Sequence, residues 1–267
     1  MNRFDRSRVY SWTMNFLRRV SKRLRSLRRV EHHAPLGHAI QDHQESGTGE
    51  VIEVLRSDGL SYSISSEEFF SLGGRLEELD QLALRRAHGR VLDVGAGAGR
   101  HALALQKLDH EVVALDISPL CVEVMRQRGV AEALVGDIFE LKREKSGDFD
   151  TVLFLMQNIG ISGSLFGLEK LLLSLRPLIR PGGQILFDSS PLLEFAGDSP
   201  DMSEGIDVYF SYDGYRGRSF SWLYLDEKTL VDVAARLGWE LEILARMTEG
   251  EYLARLRPPE DETRNRP

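Results

Sequence analysis

The sequence predicts a three-layer α/β fold, in which a mostly parallel sheet is covered by helices on both faces. The first observation behind this prediction is a regular alternation of β-prone and helical segments between residues 90 and 188. Strands are expected at residues 90–94, 111–115, 133–135, 151–155 and 184–188, and helices at about residues 99–108, 118–128 and 166–176. The second observation is that the first strand runs directly into a glycine-rich loop and a helix. Such a turn is typical of the ligand-binding edge of a parallel sheet.

Composition limits what the rest of the chain can be. The 267 residues give room for one large domain with appendages, and Cys121 is the only cysteine. One cysteine excludes a disulfide framework or a cysteine-based zinc site within the chain, and we expect no metal. No apolar run approaches the roughly 20 residues of a membrane span, and a cytoplasmic location is expected.

The first 30 residues differ sharply in charge from the rest. They hold ten Arg and Lys and one acid, which is a net charge of +9. The whole chain carries −7, so the remaining residues carry −16. The apolar residues of this basic segment fall on one helical stripe: Phe16, Val20, Leu24 and Leu27. A basic amphipathic helix suits peripheral contact with an anionic membrane or another polyanion. An organellar targeting segment and a poorly ordered arm are the other two interpretations. The acidic body argues against nucleic-acid binding by the main domain.

The segments before the first strand are predicted from turn and capping signals. Residues 31–50 hold four histidines among Gly, Ser, Gln and Pro, so residues 1–50 are expected to be an arm followed by a flexible linker. Residues 51–88 are expected to form a hairpin turning at Asp58-Gly59 and then two helices. The first of these helices would begin at the capping box formed by Ser65 and Glu68.

The alternation breaks after residue 188. Residues 189–225 hold eight aromatic residues and a hairpin signal at Asp213-Gly214, so they are predicted to be an inserted cap above the sheet edge. A helix is expected at residues 226–237, followed by a hairpin that adds one antiparallel strand to the sheet. Residues 258–267 are expected to be a loose tail.

The glycine loop itself discriminates between two nucleotide-like ligands. Its glycines are Gly95, Gly97 and Gly99, and Arg100 stands where a dinucleotide-binding loop has its last glycine. Asp93, two residues before the loop, is a poor neighbour for a pyrophosphate and a good one for an ammonium and a sulfonium. The loop therefore favours S-adenosylmethionine (SAM) over NAD, although a nicotinamide-dependent oxidoreductase is kept as the alternative.

Four further segments follow the stretch from Val91 to Gly99 in order. They are VALDIS at residues 113–118, GDI at 136–138, FDTV at 149–152 and LIRPGGQIL at 178–186. Together with the glycine loop they resemble the class I SAM-dependent methyltransferases, over roughly residues 89–257. The resemblance implies a Rossmann-like sheet of seven strands, mostly parallel with one antiparallel strand. It also implies that residues 51–88 cover the cofactor site and that S-adenosylhomocysteine (SAH) is the product.

The resemblance also assigns roles to residues at the sheet edge. Asp93 and the loop would hold the methionine part of SAM, Asp116 the ribose hydroxyls and Asp137 the adenine amino group. The remaining cofactor contacts implied are Gly95, Ala96, Gly97, Gly99, Ile117, Ile138 and Gln157. For each aspartate the alternative is a loop carboxylate that caps a helix, and for Gln157 it is a polar loop.

The acceptor is expected to be a small molecule, to which the methyl moves by in-line transfer. The chain has Gln157-Asn158-Ile159-Gly160 where enzymes that methylate nucleic-acid amines have an Asn/Asp-Pro-Pro-aromatic motif, and Cys121 is expected to be a buried hydrophobe. Candidate substrate contacts are Asn158, Tyr215 and Trp222, and candidate bases are Asp188 and His101, each of which also has a structural interpretation. A third hypothesis is a SAM-binding module without turnover that is attached to a membrane by residues 1–30.

Overall fold

The computed structural model describes residues 28–71, 78–142, 148–192, 203–248 and 250–259. Its helices are α1 (Ala34–Ser46), α2 (Glu78–Arg86), α3 (Arg100–Gln106), α4 (Pro119–Gln127), α5 (Leu165–Leu175) and α6 (Glu227–Leu237). The strands before the main sheet are β1 (Arg28–Val30), β2 (Val51–Arg56) and β3 (Ser61–Ser65). They are followed by β4 (Val91–Val94), β5 (Val112–Asp116), β6 (Glu132–Val135), β7 (Phe149–Phe154) and β8 (Ile179–Ser189). The last strands are β9 (Ile206–Tyr212), β10 (Tyr215–Gly217), β11 (Phe220–Trp222), β12 (Glu240–Arg246) and β13 (Tyr252–Arg257).

The main sheet contains seven strands in the order β12-β13-β8-β7-β4-β5-β6. Neighbouring strands from β8 to β6 are parallel, and β13 is antiparallel to both of its neighbours. The predicted sheet of seven strands, mostly parallel with one antiparallel strand, is therefore confirmed. The carboxyl ends of the parallel strands meet at one edge, which positions the loops that follow them.

Helices cover both faces of this sheet and make the fold three-layered. Helices α2, α3 and α4 bury apolar side chains on one face. Helices α5 and α6 bury theirs on the other. Side chains alternate along a strand, so β4 places Leu92 and Val94 in the core under α5 and α6. Asp93 lies between them in sequence and therefore points toward the face of α3.

A second sheet joins the strands that precede β4 in the sequence to the strands that follow β8. Its order is β1-β10-β9-β2-β3, and β11 also pairs with β9. The predicted hairpins at Asp58-Gly59 and Asp213-Gly214 are both present, but β2 also pairs antiparallel with β9, which places Glu53 opposite Ser211. Turn signals are local and predict the two hairpins as separate units, whereas strand partners far apart in the chain leave no local signal.

The prediction of a flexible linker at residues 31–50 is wrong, because most of it forms α1. Pro35 lies in the first turn, where its missing N–H costs nothing, and Gly47 ends the helix in the left-handed region with φ 69°. Ala39 and Ile40 are both 0% exposed. Ile40 packs with Ala98, Cys121 and Val124. Packing on the body therefore stabilises a helix whose histidines, glycine and proline were interpreted as linker composition.

Several predictions lie outside the described residues. They include the basic amphipathic stripe up to Leu27, the first part of the cap insertion at residues 193–202, and the tail from residue 260. Ser65 and Glu68 form the predicted capping box, but it begins a 3-10 turn, Ser66–Phe69, instead of an α-helix. Among the helices that the structure describes, none is long and apolar enough to cross a membrane.

Candidate active site

A cavity of about 440 Å³ lies at the carboxyl ends of β4, β5 and β6. We call it the glycine-loop cavity, because Gly95 and Gly97 form part of its wall. The strand ends contribute Asp116 and Asp137 to its lining. These residues are 21 positions apart in the sequence, an interval that holds one helix and one strand. The topology thus brings together three of the predicted motifs on adjacent strands.

The glycine loop needs its glycines for conformation and for space. Gly95, Gly97 and Gly99 have φ values of 68°, 56° and 79°, a region that residues with a Cβ rarely adopt. A Cβ at Gly95 would also lie 2.7 Å from Nδ2 of Asn158. That amide donates to the carbonyl oxygens of Gly95 at 2.9 Å and Val94 at 3.2 Å, which fastens the loop to the turn after β7.

Asp116 connects the glycine loop to the start of α4. Its Oδ2 accepts from the backbone N–H of Gly97 at 2.9 Å, and its Oδ1 accepts from the N–H of Ser118 at 2.8 Å. Burial raises the pKa of this carboxyl to about 6, although the two N–H donors oppose the shift. Each carboxylate oxygen can accept more than one hydrogen bond, so Asp116 orders the loop and keeps capacity for a ligand.

Asp93 presents an unsatisfied acid beside the same loop. The residue is buried, and its Oδ2 has no hydrogen-bond partner among the described residues. Burial raises the pKa of its carboxyl, and the charges of His101 and Arg100 and the N–H of Ala102 oppose the shift. A buried carboxylate oxygen without a partner is costly, and a cationic or hydrogen-donating ligand would remove that cost.

The far end of the glycine-loop cavity is apolar. Ile117 and Phe139 are 38% and 39% exposed, while Ile138 is buried, and all three line the cavity. Asp137 caps the following 3-10 turn by accepting from the N–H of Phe139 at 2.9 Å. Exposed apolar side chains around a polar strand end are what a flat heterocycle would cover.

The segment before α1 closes this apolar end. His32 and His33 both line the cavity. Burial lowers the pKa of each imidazole. Nδ1 of His33 is buried and has no partner in the described part of the chain. The residues expected to be a solvated linker therefore form a wall of the site.

A second cavity, of about 630 Å³, lies next to the first. We call it the aromatic cavity, because five rings line it: Tyr62, Phe69, Phe210, Trp222 and Tyr224. Both sheets contribute to its wall, with Asp188 at the end of β8 and Tyr62 on β3. The two cavities share five residues: Leu36, Phe69, Asn158, Phe210 and Trp222.

The turn after β7 has strained backbone at the junction of the two cavities. Met156 and Gln157 are consecutive residues with φ of 61° and 58°, which is costly for side chains of their size. The carboxylate of Asp188 stabilises the turn, because its Oδ2 accepts from the N–H of Gln157 at 2.9 Å. Its Oδ1 is buried without a partner among the described residues. Burial raises the pKa of this carboxyl to about 7, and the nearby Asp80 adds to the rise.

Comparison with known proteins decides the family. The family model described as "Methyltransferase domain" matches residues 91–183. A crystal structure of a SAM-dependent methyltransferase from Bacteroides fragilis, in complex with S-adenosyl-L-homocysteine, is 37% identical to this chain. The alignment covers 86% of this chain and 96% of that chain, with a TM-score of 0.76. The chain belongs to the SAM-dependent methyltransferases.

Curated relatives match a smaller part of this methyltransferase. The ubiquinone biosynthesis O-methyltransferase of Xanthomonas oryzae is 35% identical over 71 residues, which are 25% of this chain and 30% of the relative. That of Xanthomonas campestris is 29% identical over 118 residues, 42% of this chain and 48% of the relative. The matched region thus spans less than half the length of these relatives. The family assignment identifies SAM as the cofactor and SAH as the product, and it argues against the nicotinamide alternative.

Most of the residues predicted for the methyltransferase site line one of the cavities. The glycine-loop cavity is lined by Gly95, Gly97, Asp116, Ile117, Asp137, Ile138, Asn158 and Trp222. Gln157 and Asp188 line the aromatic cavity. Asp93, Ala96 and Gly99 line neither cavity, and a Cβ at Gly99 would meet Val130 and Met125 at 2.8 and 3.0 Å. Gly99 therefore allows the start of α3 to pack closely on α4 and the turn that follows it.

Two predicted residues lie elsewhere. Tyr215 lines neither cavity and stacks on His38, with ring centroids 4.2 Å apart. His101 is 4% exposed and lines neither cavity. Its Nε2 lies 3.2 Å from Oδ2 of Asp80 and 3.1 Å from Nε of Arg100. These contacts favour the structural interpretation of His101.

The buried ion pair between Arg100 and Asp80 was not predicted. It joins the start of α3 to α2, and Arg100 also donates to the carbonyl of Glu68 at 2.7 Å. Burial alone would raise the pKa of Asp80, but the hydrogen bond and charge of His101 and the charge of Arg100 leave it below its usual value. In the sequence, Arg100 is notable only because it stands where a dinucleotide-binding loop has its last glycine. Its partner Asp80 lies on α2, and no local pattern predicts where α2 packs.

Proposed function

We propose that this chain transfers a methyl group from SAM to a small organic acceptor held in the aromatic cavity. The observation that carries the proposal is the wall shared by the two cavities, which includes Asn158, Phe69 and Trp222. In-line transfer requires the methyl group and the accepting atom to meet directly, at a place where the donor and acceptor sites adjoin and water is excluded. A shared wall of mostly apolar side chains meets that requirement.

The residues of the glycine-loop cavity fit SAM. We assign the ammonium and sulfonium region to the glycine loop, with Asp93 behind it. Asp93 lines neither cavity, but its buried Oδ2 has no partner among the described residues and would be satisfied by a cationic or hydrogen-donating group. Asp116 would accept the ribose hydroxyls, and Ile117, Ile138 and Phe139 would cover the adenine ring. Asp137 and His33 would bond polar groups at the adenine end. When bound, SAM supplies a methyl group on a positively charged sulfur.

Asp188 is our candidate for the group that receives a proton from the acceptor. It lines the aromatic cavity, and its Oδ1 is buried without a partner among the described residues. A carboxyl with a pKa near 7 is ionised in part at neutral pH, which suits a general base. Asn158 holds the glycine loop beside this acid and would orient the acceptor.

A small molecule suits the dimensions of the aromatic cavity, whose volume of about 630 Å³ lies in the range of small-ligand sites. The curated relatives are named as O-methyltransferases of ubiquinone biosynthesis, but their matches cover only 25% and 42% of this chain. The chemistry of the aromatic cavity is therefore the better guide to the acceptor. A cytoplasmic location and membrane or polyanion contact through residues 1–30 stay predictions, as does the division of the chain at residues 50, 88 and 257.

The donor half of the proposal is tested by calorimetry with SAH. Replacing Asp116 by alanine removes the acceptor for both ribose hydroxyls. Two hydrogen bonds to a charged group are together worth about 3 kcal/mol, so we expect Asp116→Ala to weaken SAH binding about 100-fold. Asp226→Ala is the matched control, because Asp226 caps α6 and lines neither cavity. It should lower stability by about 1 kcal/mol and leave SAH affinity unchanged. Wild-type protein that fails to bind SAH at millimolar concentration would refute the proposal.

A further inference from the structure

The charged residues of the aromatic cavity are mostly acidic. Its described lining includes five acids and two bases: Glu68, Glu78, Asp80, Asp188 and Glu251, with Arg56 and Arg100. Glu68, Glu78 and Glu251 are exposed residues of this lining, and we call them the acidic rim. Asp188 and the pair of Asp80 and Arg100 are more buried and form its inner wall. Neighbouring charges of one sign attract a ligand of the opposite sign.

Both arginines already have carboxylate partners. Arg100 forms its ion pair with Asp80, and both side chains are about 5% exposed. Arg56 forms an ion pair with Asp58, to which its Nε also donates at 3.2 Å. A carboxylate or phosphate ligand would have to compete with these internal partners. The described lining therefore holds no cation ready to receive an anionic acceptor.

Asp188 provides an independent indication of the ligand. Its Oδ2 is engaged by the N–H of Gln157, but its buried Oδ1 has no hydrogen-bond donor among the described residues. An acceptor-only oxygen in this position is satisfied by a ligand that brings a hydrogen on nitrogen or oxygen. Since the surrounding lining is acidic, a cationic N–H donor gains more there than a neutral hydroxyl.

The aromatic walls add to the same preference. Tyr62, at 44% exposed, and Tyr224 stand with Phe210 and Trp222 around the cavity. The face of an aromatic ring attracts a cation by about 0.5–2 kcal/mol. Arg56 already uses the ring of Tyr224, with its guanidinium carbon 5.9 Å from the centroid.

We propose that the methyl acceptor is a small organic amine, which enters the aromatic cavity as its ammonium form and gives up a proton to Asp188. This inference rests on the proposed function and specifies its substrate class. The acidic rim would draw the ammonium in, and the rings would hold its organic part. Asp188 would position the nitrogen next to the shared wall.

The proton and the bonds balance without a further reactant. One N–H bond of the ammonium breaks, and its proton moves to Oδ1 of Asp188, which leaves a neutral amine with a lone pair. That lone pair forms the new N–C bond to the methyl, and the C–S bond breaks with its electron pair left on sulfur, which gives SAH. The proton on Asp188 returns to solvent when the methylated ammonium leaves.

The test is an acceptor screen with full-length protein, methyl-labelled SAM and a bacterial metabolite extract separated into cationic, neutral and anionic fractions by ion exchange. We expect label to appear in small molecules of the cationic fraction, with SAH formed in equal amount. Label only in the neutral or anionic fractions would overturn the amine inference and leave methyl transfer intact. Label in no fraction, from protein that binds SAH, would overturn both the amine inference and turnover.

A charge variant separates the acidic rim from a merely structural role. In Glu78→Gln with Glu251→Gln we expect KM for the cationic acceptor to rise about three- to tenfold at low salt, and the difference to shrink at about 0.5 M salt. The dissociation constant of SAH should not change. The matched control is Glu123→Gln with Asp232→Asn, which removes the same charge at exposed positions on α4 and α6 that line neither cavity. A KM that is unchanged in the rim variant, or raised equally in the control, would overturn the inference.

Discussion

The two cavities are neighbours, but they are assembled in different ways. The polar residues of the glycine-loop cavity follow three successive parallel strands, so chain topology alone brings them to one edge. The aromatic cavity combines β2 and β3 with β9 and β11, which lie about 150 residues later in the chain. The donor side of the chemistry is thus encoded in local motifs. The acceptor side depends on pairing between distant segments, and two residues of those segments, Phe210 and Trp222, also line the glycine-loop cavity.

The acids of the two cavities also differ in how they are satisfied. Both oxygens of Asp116 accept backbone N–H groups, which prepares the glycine-loop cavity for its ligand. In Asp188 only one oxygen is engaged, and burial raises its pKa further. Asp116 is therefore held in place as a binding group, whereas Asp188 keeps one oxygen open to a proton and has the higher pKa, which suits proton transfer.

The sharpest test of this contrast is Asp188→Asn, for which we expect the largest effect. The amide oxygen can still accept from the N–H of Gln157, but the side chain can no longer take a proton. Turnover of an acceptor found by the labelled screen should fall about 100-fold or more, with the dissociation constant of SAH changed less than about threefold. An equal loss of SAH affinity would show that Asp188 supports the site as a whole.

The pH dependence should change with the same variant. Asp188 acts as a base only when ionised, so wild-type turnover should rise with pH up to about 7 and then level off. The raised pKa also means that the folded state binds the proton more tightly than the unfolded state does. The contribution of Asp188 to the free energy of unfolding should therefore fall as pH rises from about 4 to about 7, so the stability of Asp188→Asn relative to the wild type should be greater at pH 8 than at pH 5. The pH profile of turnover tests the first expectation, and chemical denaturation of the wild type and the variant at pH 5 and pH 8 tests the second.

Sequence was sufficient for the main sheet and much of the donor site, for identifiable reasons. The parallel strands are mostly apolar, and the glycine positions are required by backbone with positive φ. The pairing of β2 with β9 was not predictable, because each segment has an ordinary strand pattern that does not specify its partner. Helix α1 was missed because its glycine, proline and histidines resemble a linker, while its stability comes from Ile40 packing on Ala98 and Val124.

That missed helix leads to a further prediction, which compares two truncations. Removing residues 1–27 retains β1, α1 and the two histidines of the glycine-loop cavity, so SAH affinity should stay within about twofold. Removing residues 1–46 deletes His32, His33 and Leu36 from the lining of the glycine-loop cavity and exposes the apolar surface that Ile40 covers. We expect SAH affinity to fall about tenfold and the melting temperature to drop by several degrees. Equal affinity in the two truncations would mean that residues 28–46 do not close the cofactor site.

The smallest effect is expected at Asn158, the polar residue of the wall that the two cavities share. Its amide makes two hydrogen bonds to the backbone of Val94 and Gly95, each worth about 1 kcal/mol in a partly buried site. In Asn158→Ala the glycine loop loses this attachment, so both the dissociation constant of SAH and the KM of the acceptor should rise about five- to tenfold. Ser190→Ala is the control, because Ser190 lines the aromatic cavity alone and should alter only the acceptor KM. Calorimetry together with steady-state kinetics compares the two variants. If Asn158→Ala changed only one of the two constants, donor and acceptor sites would be energetically separate despite their common wall, and the shared turn after β7 would not couple them.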